Sequence, residues 1–326
     1  MGERAAAMKD RFLREIDYIR ISVTDRCNFR CRYCMPVQGV GVIPHDQILR
    51  FEEIIRIGRL LPRIGIKHIK ITGGEPLVRK GICALIKDLK ALEGIEQITL
   101  TTNGYLLEQA AEKLKEAGID AVNVSVDTVN RENFTKICRK DGLAEVLRGI
   151  DTAQKLGIAL KVNTVVSGNS ALAELLDVLD FFSRKGITVR FIELMPIGIA
   201  ERTRVTNADL FNLIKRHHPD ITKDDFRSNG PARYYQFGDG KRVGFISAVH
   251  DMFCSSCNRV RLTAEGVIKP CLASTLSYNI KRLLRSGAGD AELERALKQA
   301  VFHKPVSHHF SNRRKTETRV MNTIGG

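Results

Sequence analysis

Cysteine is the residue type that could do the most chemistry in this 326-residue chain, and six of its eight cysteines lie in two groups. The groups consist of Cys27, Cys31 and Cys34, and of Cys254, Cys257 and Cys271. Such grouping, after an N-terminus without the apolar core of a secretory signal, favours metal binding over a disulfide framework. The two isolated cysteines, Cys83 and Cys138, fall in helix-like stretches and are predicted to be small buried side chains.

The first cysteine group has a C-x3-C-x2-C spacing and supplies three ligands. A structural zinc site needs four protein ligands, for which His45 is the nearest candidate. A 4Fe–4S cluster on three thiolates instead keeps one iron open. That iron can bind the amino and carboxylate groups of S-adenosylmethionine, with Tyr33 offering an aromatic face beside it. The tetrapeptide Gly73-Gly74-Glu75-Pro76 strengthens the cluster prediction, because glycine lets the backbone approach a ligand closely.

The second cysteine group also offers three thiols, so a Cys3His zinc site completed by His250 stays open as an alternative. Arg259 and Arg261 lie just beyond Cys257, two residues apart, and in a strand they would share one face. Paired guanidinium groups suit the oxygens of a polyphosphate. On their own, the two arginines fit a solvated surface equally well.

The elements that must position these residues follow a regular alternation up to Pro196. The predicted strands are Tyr18–Thr24, His68–Thr72, Gln97–Thr101, Ala121–Val126, Ala159–Val166 and Thr188–Leu194. The predicted helices between them are Glu52–Arg63, Ile82–Leu92, Leu106–Ala117, Leu143–Leu156 and Ala171–Lys185. Polar motifs recur at the carboxyl ends of these strands, where a parallel barrel places its chemistry. A doubly wound open sheet would show a similar pattern.

After Pro196 the alternation stops. A helix is expected at Ala208–His217, a hairpin near Phe237–Ile246 and another helix at Ala291–Phe302. The sequence therefore predicts an α/β fold: a partial (β/α)6 TIM-type barrel in residues 1–195, with the first cysteine group, and a smaller C-terminal α+β domain in residues 196–326, with the second.

The net charge of +15 is concentrated toward the C-terminus. Residues 1–200 hold 30 basic and 25 acidic residues, whereas residues 201–326 hold 22 and 12. This distribution favours a polyanionic ligand such as nucleic acid, an anionic surface or a nucleotide triphosphate. No apolar run reaches the ~18 residues that span a bilayer. We therefore expect a cytoplasmic protein that does not enter a membrane.

Together, these motifs resemble the radical S-adenosylmethionine enzymes, and among them the family that cyclises GTP at the start of molybdenum cofactor biosynthesis. The resemblance runs through almost the whole chain. It rests on residues 20–27, 71–76, 100–104, 123–127, 190–196, 253–254 and 324–326.

The resemblance implies a role for each matching residue. Cys27, Cys31 and Cys34 would hold one 4Fe–4S cluster, and Cys254, Cys257 and Cys271 a second. The residues expected to contact S-adenosylmethionine are Tyr33, Gly74, Ser125 and Met195. Those expected to contact GTP are Arg20, Lys70, Thr101, Lys161, Arg259, Val260 and Arg261. The terminal Gly325 and Gly326 would reach back into the active site. Relatives often have arginine in place of Lys70, so its contact to phosphate would lack the guanidinium fork.

The implied activity is that of a lyase in which a 5′-deoxyadenosyl radical takes the hydrogen from the ribose 3′ carbon of GTP, giving 3′,8-cyclo-7,8-dihydro-GTP. Such an enzyme needs an external one-electron reductant, and cyclic pyranopterin monophosphate synthase would act next. A monomer or a homodimer is expected, without nucleic acid.

Two other functions remain open from the sequence. One is a different radical enzyme with an auxiliary cluster, such as a peptide maturase, although those usually carry more cysteines. The other is a zinc-dependent nucleic-acid-binding protein. That class would interleave basic residues with exposed aromatic side chains, whereas this chain has no Trp.

Overall fold

A computed structural model describes residues 8–167, 172–308, 310 and 316–325. Its strands are β1 (Met8–Lys9), β2 (Glu15–Ile16), β3 (Tyr18–Ser22), β4 (His68–Thr72), β5 (Gln97–Thr102), β6 (Ala121–Ser125), β7 (Leu160–Val166), β8 (Thr188–Glu193), β9 (Thr222–Asp224), β10 (Arg233–Gln236), β11 (Arg242–Ile246), β12 (Arg259–Leu262), β13 (Val267–Lys269) and β14 (Tyr278–Asn279). Its helices are α1 (Phe51–Leu60), α2 (Ile82–Lys90), α3 (Leu107–Glu116), α4 (Arg131–Cys138), α5 (Leu143–Lys155), α6 (Leu172–Arg184), α7 (Asn207–His217), α8 (Ile280–Arg285) and α9 (Asp290–Phe302).

One large sheet organises the molecule, with the strand order β14-β13-β12-β3-β4-β5-β6-β7-β8-β11-β10-β9. Strands β3 to β8 are parallel and lie side by side in chain order. A doubly wound sheet would reverse its order at a switch point, so this winding is that of a barrel. Because β3 pairs with β12, and β8 with β11, the barrel is partial, as predicted.

The barrel strands separate apolar from charged side chains through the two-residue period of a β-strand. On β3, Ile19 and Ile21 are buried in the main core, and Arg20 lies on the opposite face. On β12, Val260 and Leu262 are likewise core residues. The apolar face packs against the outer helices, so the charged side chains of these strands are directed toward the barrel interior.

The six predicted barrel strands are confirmed, and their ends shift by no more than two residues. The helices α4 and α8 were not predicted. Helix α4 has eight residues and is mostly polar, so its apolar periodicity is weak. It begins where the side chain of Asn130 accepts a hydrogen bond from the N–H of Asn133 at 3.0 Å. A capping contact of this kind defines a short helix that the hydrophobic pattern does not reveal.

The chain after residue 196 mixes antiparallel strands with helices and adds strands to both edges of the barrel sheet. The expected hairpin is formed by β10 and β11, and β11 also pairs in parallel with β8. The main core contains side chains from both parts of the chain. The predicted division at residues 195 and 196 thus stays a prediction, across a continuous sheet. No helix among the described residues is long and apolar enough to cross a bilayer.

Candidate active site

The loop between β3 and α1 carries the first cysteine group to a cavity at the carboxyl ends of the barrel strands. The thiols that line this cavity are those of Cys27, Cys31 and Cys34. The loop is tied to the end of α4, because the N–H groups of Arg30 and Arg32 donate to the carbonyls of Cys138 and Ile137 at 3.0 Å. Cys138 is buried, as predicted, and its thiol also forms a hydrogen bond with Cys31 that raises the pKa of Cys138.

The donor set of this loop fits an iron–sulfur cluster. Burial raises the pKa of Cys27 to about 12 and that of Cys34 well above its ordinary value. Buried thiols become thiolates when a metal supplies the positive charge. The N–H of Phe29 lies 3.4 Å from the sulfur of Cys27, so the backbone already provides one hydrogen bond to a sulfur of this group.

The glycines after β4 are required by the contact of their loop with the cysteine loop. The N–H of Gly74 donates to the carbonyl of Thr24 at 2.7 Å. A Cβ atom on Gly74 would lie 2.6 Å from the carbonyl oxygen of Asp25, and one on Gly73 2.9 Å from that of Thr24. Both glycines line the cavity. From the sequence we expected these glycines to approach a ligand closely, and in the structure they also approach the protein's own backbone closely.

Glu75 connects this loop to the next barrel strand. Its carboxylate is buried and accepts hydrogen bonds from the N–H groups of Leu77 at 3.0 Å and Asn103 at 2.6 Å, and from the hydroxyl of Thr102 at 2.7 Å. Burial raises the pKa of Glu75 to about 7. Since Glu75 contacts backbone on both sides, its role is to fix the ends of β4 and β5 relative to each other.

All residues predicted to contact S-adenosylmethionine line the same cavity as the three thiols: Tyr33, Gly74, Ser125 and Met195. The hydroxyl of Tyr33 donates to Asp127 at 2.6 Å, and the same carboxylate accepts the N–H of Val165 at 2.8 Å. Asp127 was not among the predicted site residues. Its position directly after β6 was the available signal, because barrel enzymes place functional side chains there.

Basic side chains meet in the barrel interior. They are Arg20, Lys70, Lys161, Arg190, Arg259 and Arg261. Across the sheet, Arg261 is opposite Arg20, and Arg20 is opposite Lys70. Burial, followed by repulsion from neighbouring cations, lowers the pKa of Arg20 to about 10 and that of Lys70 well below its ordinary value. Such a concentration of buried positive charge fits a ligand with several negative charges.

Arg190 is the member of this basic group that the sequence analysis missed. It is buried on β8, and its guanidinium donates to the side-chain oxygens of Asn123 at 2.6 Å and Asn163 at 3.0 Å. Its charge in the middle of an apolar strand was the signal.

Thr101 lines the cavity, as expected of a substrate contact. The side chain of Val260 is in the main core, so only its backbone is available to a ligand.

The second cysteine group lies at a short 3-10 helix, Cys254–Ser256, and after β13. Burial would raise the pKa of Cys257, but Arg259 and Lys304 bring it down to about 6. The guanidinium of Arg259 is 3.7 Å from the Cys257 sulfur. A thiol that ionises this readily suits metal ligation, and an arginine beside it can reach both the ligand set and the barrel interior.

The structure does not favour the zinc alternatives. Nδ1 of His250 lies 3.0 Å from a carboxylate oxygen of Glu193, and His45 is exposed in a short 3-10 helix. Within the described parts of the chain, no group of three or more His, Cys, Asp or Glu side chains could hold a metal ion. The ligands of a four-iron cube stand at separate corners, so they need not converge on one point.

The C-terminal tail returns to the barrel. Gly325 has φ +77°, and a Cβ atom there would lie 2.8 Å from Cβ of Ser22. Its carbonyl accepts a hydrogen bond from Arg261. Asn322 lines the cavity. Gly326, which was also predicted to reach the active site, lies outside the described residues. Position 325 requires glycine because its backbone is in the left-handed region and because Ser22 leaves no space for a Cβ atom.

Two family models match the chain, Radical SAM superfamily over residues 21–182 and Molybdenum Cofactor Synthesis C over residues 187–310. The chain is 41% identical over 323 residues to GTP 3′,8-cyclase of Clostridium perfringens (strain SM101 / Type A), which covers 98% of this chain and 100% of that protein. It is 42% identical over 324 residues to GTP 3′,8-cyclase of Moorella thermoacetica, with the same coverage.

Solved structures show the same fold at low identity. Streptococcus suis SuiB bound to S-adenosylmethionine matches with a TM-score of 0.63 and 14% identity, over 89% of this chain and 64% of SuiB. Native anSMEcpe with bound AdoMet matches with a TM-score of 0.55 and 19% identity, over 78% of this chain and 74% of that one.

Proposed function

The chain belongs to the GTP 3′,8-cyclase family of the radical S-adenosylmethionine superfamily, and on that premise we propose how its residues carry out the reaction. It is a lyase that converts GTP to 3′,8-cyclo-7,8-dihydro-GTP in the first step of molybdenum cofactor biosynthesis. The observation that carries the proposal is that three thiols and a group of buried cations face one end of the barrel. We assign residues 1–195 to the barrel unit with the first 4Fe–4S cluster and residues 196–326 to a smaller unit with the second.

Cys27, Cys31 and Cys34 bind the first cluster in this proposal, and Tyr33, Gly74, Ser125 and Met195 bind S-adenosylmethionine. When bound, the cluster, reduced by an external one-electron donor, and S-adenosylmethionine would supply the radical chemistry that removes the hydrogen from the ribose 3′ carbon. The protein contributes position. Glu75 fixes the glycine loop against β5, and Asp127 orients the ring of Tyr33 through its hydroxyl. A rigid first site would limit the positions that the bound S-adenosylmethionine can take relative to the ribose.

The basic group binds the triphosphate of GTP. Arg20, Lys70 and Arg261 lie at one level on adjacent strands, so they can contact neighbouring phosphates. Lys161 and Arg190 extend the group on β7 and β8. These buried cations would bind a polyanion strongly, because opposite charges attract more strongly where water is excluded. The result is a fixed ribose rather than a mobile one.

Cys254, Cys257 and Cys271 bind the second cluster, next to the arginines of β12. Arg259 contacts a ligand sulfur and Arg261 holds the tail. In this proposal the guanine of GTP lies near the second site and the triphosphate lies along the cations. The carbonyl of Gly325 keeps Arg261 oriented, and we include Gly326 in this role because it completes the Gly-Gly terminus.

Several finer assignments belong to the same proposal. An external one-electron reductant supplies the electron to the first cluster, and cyclic pyranopterin monophosphate synthase consumes the product. The enzyme works in the cytoplasm as a monomer or homodimer, without nucleic acid. The family's place in molybdenum cofactor synthesis supports the expectation of a further enzyme that consumes the product.

The proposed function is tested anaerobically with GTP and S-adenosylmethionine, by measuring 5′-deoxyadenosine and the cyclised nucleotide together. Wild type and the control Cys83→Ala, outside both groups, should form both products. Cys31→Ala should form neither. Arg261→Ala should continue to cleave S-adenosylmethionine but lose the cyclised nucleotide, since it removes a cation of the basic group and leaves all three thiols of the first cysteine group in place.

Two outcomes would contradict the proposal at different points. If the wild type formed 5′-deoxyadenosine without the cyclised nucleotide, GTP would not be the substrate. Iron sufficient for one cluster together with stoichiometric zinc would remove the second cluster and leave the first.

A further inference from the structure

Two buried cations reach the second cysteine group from distant parts of the chain. Arg14, in the turn before β2, donates from its guanidinium to the carbonyl of Cys254 at 2.7 Å. Lys304, just after α9, donates from its ammonium to the carbonyls of Arg259 and Pro270, both at 2.7 Å. The two side chains therefore connect the second cysteine group to both ends of the sequence.

The two carbonyls bound by Lys304 belong to the segments that carry the other two thiols. Arg259 is two residues after Cys257, and Pro270 immediately precedes Cys271. These segments are brought together by the antiparallel pairing of β12 and β13. The ammonium holds them at the end where the cysteines lie, so it fixes the separation of the two segments that carry Cys257 and Cys271.

The charges of these cations are balanced differently. Arg14 pairs with Asp10 at 2.6 Å, and both side chains are buried. Lys304 is 2% exposed, and no carboxylate within the described parts of the chain pairs with its ammonium. A buried charge is unfavourable by several kcal/mol without a compensating partner. The two carbonyl hydrogen bonds offset part of the cost for Lys304, and an anionic group nearby would offset the rest.

An iron–sulfur cluster on three thiolates is such a group. It carries net negative charge, and that charge grows when the cluster is reduced. Net charge and hydrogen bonding near a cluster are among the factors that set its reduction potential. A fixed cation stabilises the more negative, reduced form, and so it raises the potential.

We propose that Lys304 is a positioning residue of the second cluster: its ammonium joins the segments of Cys257 and Cys271 and raises the reduction potential of the cluster that they hold. This inference rests on the second cluster of the proposed function. It assigns to Lys304 a contact with the protein frame of the site and an electrostatic effect on the cluster, with no contact to GTP.

The test uses the full chain with Cys27, Cys31 and Cys34 replaced by alanine, so that anaerobic reconstitution loads only the second cluster. Iron per chain and the midpoint potential from an EPR-monitored redox titration are compared in this parent and in variants of Lys304. Lys304→Gln keeps an N–H donor and loses the charge. Lys304→Arg keeps the charge.

Arg79→Gln in the same parent is the matched control. Arg79 is a partly buried cation that, like Lys304, donates to two backbone carbonyls, those of Val23 and Leu49, at 2.5 and 2.6 Å. Its contacts belong to the barrel side of the molecule, so its loss should leave the potential of the second cluster unchanged. A shift equal to that of Lys304→Gln would mean that loss of any buried cation has this effect, and it would overturn the inference.

We expect Lys304→Gln to shift the midpoint potential downward and Lys304→Arg to remain near the parent. An unchanged potential in Lys304→Gln at equal iron content would overturn the inference and leave the second cluster intact. A parent with a native circular-dichroism spectrum that binds no iron would instead overturn the second cluster itself. Lys304→Met replaces Lys304→Gln if the glutamine variant does not fold, and the same comparison then applies.

Discussion

Replacing Glu317 with leucine is expected to release the C-terminal tail without unfolding the protein. Glu317 forms an ion pair with Lys269 on β13, in which the lysine side chain is 0% and the glutamate side chain 5% exposed. Lys269 also donates to the carbonyl of Ser274 at 2.5 Å, and the N–H of Glu317 donates to the carbonyl of Ala273 at 2.8 Å. The pair therefore anchors the start of the tail segment that ends at Gly325.

The size of the effect follows from the burial of the pair. Removing one partner of a buried ion pair is destabilising by about 3–5 kcal/mol, since the other charge is left uncompensated. Undocking of residues 316–325 lets water reach Lys269 and avoids that penalty, so the local opening equilibrium of the tail should absorb it. At about 1.4 kcal/mol for each tenfold change, the open tail should become between about a hundredfold and a few thousandfold more populated.

Hydrogen–deuterium exchange of the tail measures this population directly. Amides of the tail, including the Glu317 N–H, should exchange faster in Glu317→Leu by up to that factor, while amides of β3 to β8 keep their protection. GTP cyclisation should fall and cleavage of S-adenosylmethionine should continue. The double variant Lys269→Met/Glu317→Leu removes both charges, and replacement of a buried pair by apolar residues of similar volume is close to neutral. It should restore slow exchange.

The same contact gives a dependence on pH with a defined sign. Burial alone would raise the pKa of Glu317, but hydrogen bonds from Arg319 and Lys269 bring it down from 4.5 to about 2. An acid with a lowered pKa stabilises the folded form above its ordinary pKa and loses that contribution as the pH falls. Tail exchange in the wild type, corrected for intrinsic rates, should therefore rise between about pH 4.5 and 2. Equal tail exchange in Glu317→Leu and the wild type at pH 7 would refute the reasoning.

Three further substitutions test other parts of the site. Gly325→Ala, which forces a side chain into a left-handed backbone and against Ser22, should reduce GTP cyclisation while S-adenosylmethionine cleavage persists; equal product yields would contradict this. Lys70→Met should raise the melting temperature of the ligand-free protein and weaken GTP binding measured by calorimetry, because it removes a buried charge that burial and Arg190 disfavour; a lower melting temperature would argue against it. Gly74→Ala should lower the iron bound by the first cysteine group by displacing its loop, whereas Gly289→Ala, with open space around it and, as at Gly74, no left-handed backbone, should not.

The barrel could be predicted because its six strands repeat one strong pattern. Each is a short β-branched run followed by a polar motif, and local periodicity is enough to place it. The cysteine spacing was equally informative, since three ligands within eight residues are local in sequence. What the sequence could not provide was the continuation of the sheet at both edges by β11 and β12, because pairing between distant strands leaves no local signal.

The missed contacts have the same cause. Glu317 and Lys269 are 48 residues apart in the sequence, and each alone reads as an ordinary surface charge. Lys304 stands in a basic segment that composition describes as solvated, yet it is buried. Arg190 begins the matching segment 190–196, but the sequence does not show that its side chain is directed toward the barrel interior. Burial, not residue type, separates these functional charges from surface charge.

The basic residues of the chain include buried cations as well as cations on the surface. A polyelectrolyte-binding surface would keep its cations in water, where each retains its ordinary pKa. Here burial and mutual repulsion lower the pKa of Arg20, Lys70, Lys161 and Arg261. Cations held in this way oppose folding until an anion joins them, so the ligand-free barrel carries strain that binding relieves. Strain of this kind favours a compact ligand with concentrated charge, such as one triphosphate, over an extended nucleic acid.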